Sequence, residues 1–155
     1  MKIELAIFAL TYIRPSWSRI LNFAYSGHRS KLPVCRTLEE AEVIADEIEW
    51  TADRHIDWVK DPELTYGEGK GDCDDISPLV AELIKVISPE RQLIDFMCLP
   101  LKTSHEICKF DGGYFDNGRL IYTSKTVEEI GERWGNALKA IVERNPDTGQ
   151  IWRIK

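Results

Sequence analysis

The spacing of apolar residues changes once along this chain, near Pro89, and that change sets the fold class. Before it, Ala41, Ile44, Ala45, Ile48 and Ala52 recur at three- and four-residue steps, as do Ile76, Leu79, Val80, Leu83, Ile84 and Ile87. Stripes of this period are helical and require burial against a core. After it come short runs rich in β-branched and aromatic residues, at 93–99, 105–110, 114–115 and 120–122. Asp111-Gly112-Gly113 and Asp116-Asn117-Gly118 punctuate them as turns, so this half reads as antiparallel hairpins. Two further strand candidates, 138–143 and 151–155, flank Asn145-Pro146-Asp147-Thr148-Gly149. Helices first and strands after predict an α+β domain.

Local signals mark the ends. Thr37-Leu38-Glu39-Glu40 is a capping box, and its helix is predicted to run to about Trp58, with Asp61-Pro62 as the stop. Pro89 closes the second helix. Thr126-Val127-Glu128-Glu129 opens a short third one that Gly135 can end. The apolar run 5–10 reads as a buried strand or short helix, too short to span a bilayer and without a basic start or cleavage site. Segment 14–33, with Pro15, Gly27 and Pro33, has no clear pattern.

At 155 residues, without repeats or composition breaks, the chain is expected to form one domain over 1–155. Its net charge is −6, and no basic run occurs, which argues against nucleic acid and anionic membranes as partners. The four cysteines, Cys35, Cys73, Cys98 and Cys108, form no CxxC pair. Free thiols in a reducing, cytoplasmic compartment are expected.

The chemistry concentrates in Gly67-Glu68-Gly69-Lys70-Gly71-Asp72-Cys73-Asp74-Asp75. A cysteine in the first turn of the 76–87 helix meets unpaired amides and the positive end of the helix dipole. Both favour a thiolate, and the amides can donate to an oxyanion. The three glycines let a substrate backbone approach and let the loop take positive φ. His105 opens a strand and can serve as base. Asp116 follows across a turn, where a tight hairpin brings it alongside the ring as the orienting group. Asp116-Asn117-Gly118 is also plain turn sequence, and both readings stand.

Cys98 and Cys108 lie in strand patterns and read as small buried apolar residues, and His28 and His55 as surface or packing residues. Two features oppose the cysteine chemistry. Asp72, Asp74 and Asp75 crowd Cys73 with negative charge. Pro78 falls in the first turns, so the helix is expected either to bend there or to start at Ser77, the bend being preferred. No metal or other cofactor is expected. The aspartates lack EF-hand spacing, residues 105–108 are not a zincin motif, and Gly69-Lys70-Gly71 lacks the Ser or Thr of a phosphate loop.

Gly71-Asp72-Cys73-Asp74-Asp75, then His105, then Phe115-Asp116-Asn117 resemble the motifs of the transglutaminase-like cysteine proteinases, within the papain-like superfamily. The resemblance spans about 58–122. It implies a Cys73–His105–Asp116 triad, a papain-like α+β fold with the cysteine helix packed on an antiparallel sheet, and thiol-dependent acyl chemistry on a protein or peptide substrate. It also implies a second oxyanion donor upstream of the cysteine. Trp58 and Tyr66 are the candidates, beside Gly71 and Asp72 of the loop. Small members of this kind look like proteins of bacteria and their phages, which would put the chain in a host cytoplasm or a virion. The alternative is a silent scaffold of the same fold, a structural or interaction protein assembling into a larger complex.

Overall fold

The computed structural model describes residues 2–25, 27–52 and 58–155. Helix α1 (Lys2–Phe8), a π-helical turn (Ala9–Ile13) and α2 (Arg14–Ala24) follow one another without interruption. The run 5–10 is therefore helical, and only partly covered. Leu10 is buried, while Leu5, Phe8, Tyr12, Ile20 and Phe23 are exposed.

Helix α3 (Leu38–Asp46) begins at the expected cap. Thr37 Oγ1 accepts the Glu40 amide at 3.1 Å, but Glu40 Oε2 takes the Arg36 amide at 2.6 Å, one residue upstream of the box geometry. The expected continuation to Trp58 is not what forms. After Asp46 the chain turns into β1 (Glu49–Trp50), which pairs in parallel with β2 (Lys70–Gly71). The Glu49 and Thr51 amides donate to the Gly69 and Gly71 carbonyls, each at 2.8 Å, so tertiary pairing overrides local helical period. Residues 53–57, and with them His55, lie outside the described residues.

Asp61-Pro62 does more than stop a helix. It starts α4 (Pro62–Glu68), in which proline at the first position forfeits no ladder bond. Helix α5 (Cys73–Leu83) begins at Cys73 and carries Pro78 within it, which rules out the later start at Ser77. It ends before the predicted Ile87.

The strands are β3 (Gln92–Cys98), β4 (His105–Phe110), β5 (Gly113–Asp116), β6 (Arg119–Tyr122), β7 (Leu138–Arg144) and β8 (Ile151–Arg153). They form one antiparallel sheet in the order β6-β5-β4-β3-β7-β8. The register pairs Leu93 with Cys108 and Asp95 with Glu106. Strand alternation sends these four to one face and Ile94, Phe96, His105 and Ile107 to the other.

The first face packs against α3 and α5, where Ile76, Leu79 and Val80 meet Leu93, Cys108 and Phe115. Truncating such a fully buried aliphatic side chain costs about 2–5 kcal/mol. Farther along the same face, Leu10 packs on Met97, Ala140 and Val142. The second face is covered by α6 (Val127–Gly131) and the 3₁₀ segment Glu132–Ala137, with Ile130 and Trp134 over Ile94, Phe96 and Ile141. Both arms of the Thr126–Glu129 capping box are made, at 3.2 and 2.7 Å. Among the described residues no helix is long and apolar enough to cross a membrane.

Candidate active site

Cys73 is the first residue of α5, half-buried, at one end of the sheet. The helix start is fixed by the aspartates around it. Asp75 Oδ2 accepts the Asp72 amide at 3.3 Å, and Asp75 Oδ1 accepts the Lys60 amide at 2.8 Å. The loop glycines have structural reasons of their own, distinct from the expected approach of a substrate. Gly69 takes a left-handed φ of 67° where α4 ends, and a Cβ on Gly71 would sit 2.7 Å from that of Asp75.

His105 is the first residue of β4, and Asp116 the last of β5. Cys108 pairs with Phe115, so the hairpin carries Asp116 to the level of Ile107, diagonal to His105 on the same face. His105 Nε2 and Asp116 Oδ1 lie 2.6 Å apart. Asp116 Oδ2 accepts from Arg133 Nη1 at 2.8 Å. Burial by itself would raise the Asp116 carboxyl pKa, but His105 and Arg133 outweigh it and hold the group at about 2.

Cys73, His105 and Asp116 all line one cavity of about 1250 Å³, whose other walls include Trp17, Trp50 and Trp134. The main chain of Glu106, the residue after His105, favours ionisation of the Cys73 thiol. Other influences dominate. Burial pushes the Cys73 thiol well above the ordinary range, and Asp74, Glu106 and Asp72 push it the same way. The expected thiolate preference of a helix N-terminus is thus overridden, first by burial and then by the neighbouring carboxylates.

Beneath the cysteine lies a buried charge network. Arg14 Nη1 meets Asp74 Oδ2 at 3.0 Å, and its Nη2 stands 3.6 Å from Glu106 Oε2 and 3.9 Å from Asp95 Oδ1. Arg144 Nη2 completes the set, 2.6 Å from Glu106 Oε2. Burial raises the carboxyl pKa of Asp74 and of Glu106 well above the usual range, with Asp72 adding to the first and Asp95 to the second, against the pull of the arginines. Oxygens of Asp72, Asp74 and Asp75 lie within 4.8 Å of one another, and among the described residues only this group could hold a metal ion. Asp72 Oδ1 and Asp74 Oδ1 are buried without a hydrogen-bond partner.

The upstream aromatic candidates lie elsewhere. Trp58 stands edge-on to Tyr25 with ring centroids 5.5 Å apart, and Tyr66 packs against the α3–α5 core. Neither lines the cavity, and neither does Gly71, whereas Asp72 does. Two other upstream aromatic residues reach the cavity, Trp17 from α2 and Trp50, the latter delivered by a β1–β2 pairing that helical periodicity does not reveal. Cys98 and Cys108 are buried, as expected of strand cysteines, and all four cysteines are free. His28 is paired with Ser30 Oγ at 2.9 Å, on the surface. Glu106 enters the sequence reading only within a rejected zincin motif and Asp95 not at all, although a carboxylate inside an apolar strand run is a readable signal of a buried polar network. Arg14 and Arg133 carry no such signal.

No family model matches the sequence, and no curated protein matches it. Among solved structures, the calcium-bound form of Legionella pneumophila LapG aligns with a TM-score of 0.52 at 17% identity, over 90% of this chain and 87% of that one. The EGTA-treated form gives 0.51 at 18% identity, over 76% and 66%. A third LapG structure gives 0.50 at 18% identity, over 75% and 65%. At such identity the likeness shows the fold alone, a distant transglutaminase-like α+β fold.

Proposed function

We propose that this protein performs thiol-dependent acyl chemistry on a peptide or amide bond. Cys73 is the nucleophile, His105 the base and Asp116 the group that orients the ring. The observation that carries this reading is the 2.6 Å contact between His105 Nε2 and Asp116 Oδ1, in a cavity that Cys73 also lines. With Nε2 engaged, Nδ1 is the ring nitrogen left for the thiol. Likeness in fold to a transglutaminase-like cysteine protease supports the same reading.

The electrostatics select the form of the mechanism. A thiol raised by burial and by Asp74 rests neutral, so its proton leaves for His105 as sulfur attacks the carbonyl. The Cys73 amide, in the first turn and without an intrahelical acceptor, can donate to the resulting oxyanion. His105 then returns the proton to the leaving amine. Water as acceptor gives hydrolysis, and an amine gives transamidation.

LapG has been observed calcium-bound, and the cysteine loop here offers donors suited to that ion. Asp72, Asp74 and Asp75 supply oxygen only, as calcium prefers, and two of those oxygens have no other partner. Calcium held by these residues would compensate the negative charge crowding the cysteine. The EF-hand criterion applied to the sequence does not test such a site.

The second reading is a silent scaffold acting in a larger complex, favoured by the same carboxylate crowding. Iodoacetamide at neutral pH separates the two, with labelled positions mapped by mass spectrometry. The enzymatic reading expects Cys73 labelling to lose about a hundredfold in His105→Ala, the scale of general-base assistance. Labelling indifferent to His105 leaves the scaffold.

A further inference from the structure

We propose that Arg133 is a positioning residue that fixes the orientation of His105 through Asp116. This rests on the catalytic reading of Cys73 and His105 given above. A carboxylate bound through one oxygen can turn about its bond to the chain, and Asp116 sits at a strand end, followed by Asn117 in the left-handed region at φ 48°. Its second oxygen is what stops the rotation. Asp116 Oδ2 is held by Arg133 Nη1 at 2.8 Å, which leaves Oδ1 aimed at His105 Nε2 at 2.6 Å.

The clamp is anchored in turn. The Arg133 guanidinium lies 4.0 Å from the centroid of the Trp134 ring, and Trp134 stacks on Phe96 of β3 at 4.6 Å. Trp134 also stands 5.9 Å from the His105 ring, so one indole backs both the arginine and the imidazole. Each member is thus tied to the sheet interior through a planar contact.

Magnitudes show where this contact matters. The Arg133 side chain is 41% exposed, and such a surface pair contributes little to stability. Misplacing a base by a fraction of an ångström costs far more in rate. Arg133 therefore acts on imidazole geometry and tautomer more than on folding. Its cation also disfavours transfer of the ring proton to Asp116, which keeps that proton on Nε2 and the lone pair on Nδ1.

The test uses the full chain in three forms, wild type, Arg133→Ala and Arg133→Lys, with ¹⁵N-labelled histidine. Two readouts are taken, the His105 ring nitrogen shifts and the rate of Cys73 alkylation by iodoacetamide. The wild type is expected to show one tautomer, with the proton on Nε2. Arg133→Ala should mix tautomers and slow alkylation about tenfold or more, at nearly unchanged melting temperature. Arg133→Lys should restore most of both, and also serves if the alanine variant fails to fold, since it must then keep the single tautomer. Wild-type shifts and rate in Arg133→Ala overturn the inference, and so does a slower rate with an unchanged tautomer. His105→Ala in parallel keeps the two claims apart. If it labels like the wild type, the catalytic reading is what fails.

Discussion

The two banks of the cavity are built on opposite electrostatic plans. On the face of the sheet that carries His105, both oxygens of the Asp116 carboxylate have partners. Asp116 is shared between His105 and Arg133, and aromatic rings lock the group in place. On the helix side, the carboxylates of Asp72, Asp74, Asp95 and Glu106 crowd around Arg14 and Arg144, and several of their oxygens have no hydrogen-bond partner. The first bank is preorganised, and the second crowds its carboxylates directly beneath Cys73. A thiol on such a bank is held in its neutral form, so under the proposed function the settled bank supplies the base.

This contrast fails first at Arg144 if it is wrong. Arg144→Met leaves Glu106 buried beside Asp95 with one cation fewer, and should cost about 3 kcal/mol or more in urea unfolding, the scale of a broken buried pair. A loss below 1 kcal/mol would mean that Glu106 is simply a protonated, neutral group. Glu106 has a raised pKa, so its share of stability is present below the ordinary glutamate value and is lost as pH rises through the raised one.

Asp116 tests the other bank and has the opposite sign. Its pKa drops from an ordinary 3.8 to about 2, so its contribution is present above 3.8 and is lost as pH falls through 2. Asp116→Asn should therefore lose about 2 kcal/mol at neutral pH, with the gap to wild type closing in acid. Unfolding curves at several pH values measure both slopes. Parallel slopes for Glu106→Gln and Asp116→Asn would erase the distinction between the banks.

Calcium sharpens the comparison with a smaller effect. At ten times its dissociation constant it should stabilise the fold by about 1.4 kcal/mol, a rise of a few degrees in melting temperature. EGTA should reverse the rise and Asp72→Asn abolish it. The smallest expected effect is at Thr126, where alanine removes one cap bond and costs about 1 kcal/mol without touching the cavity.

The same division governs what could be read from the chain itself. Strands announced themselves through alternation and turns, and the β4–β5 hairpin that joins His105 to Asp116 followed from an eleven-residue separation across a glycine turn. Cys73 was legible because its loop is so unlike an apolar setting. What escaped was long-range. Trp50 reaches the cavity only because β1 pairs with β2, a contact invisible to helical periodicity. Arg14 reaches Asp74 across sixty positions. Helix α4 escapes the sequence for a different reason, since Asp61-Pro62 reads as a stop while the same dipeptide also opens a helix.

Three of the four sulfurs are shut inside the fold, at Cys35, Cys98 and Cys108. An unmodified sample therefore carries its own gauge. The first equivalent of a thiol reagent counts molecules that have assembled a responsive cavity, and any further uptake counts molecules that have opened. The ratio of the two, followed over time, records ageing of a preparation without a label or a substrate.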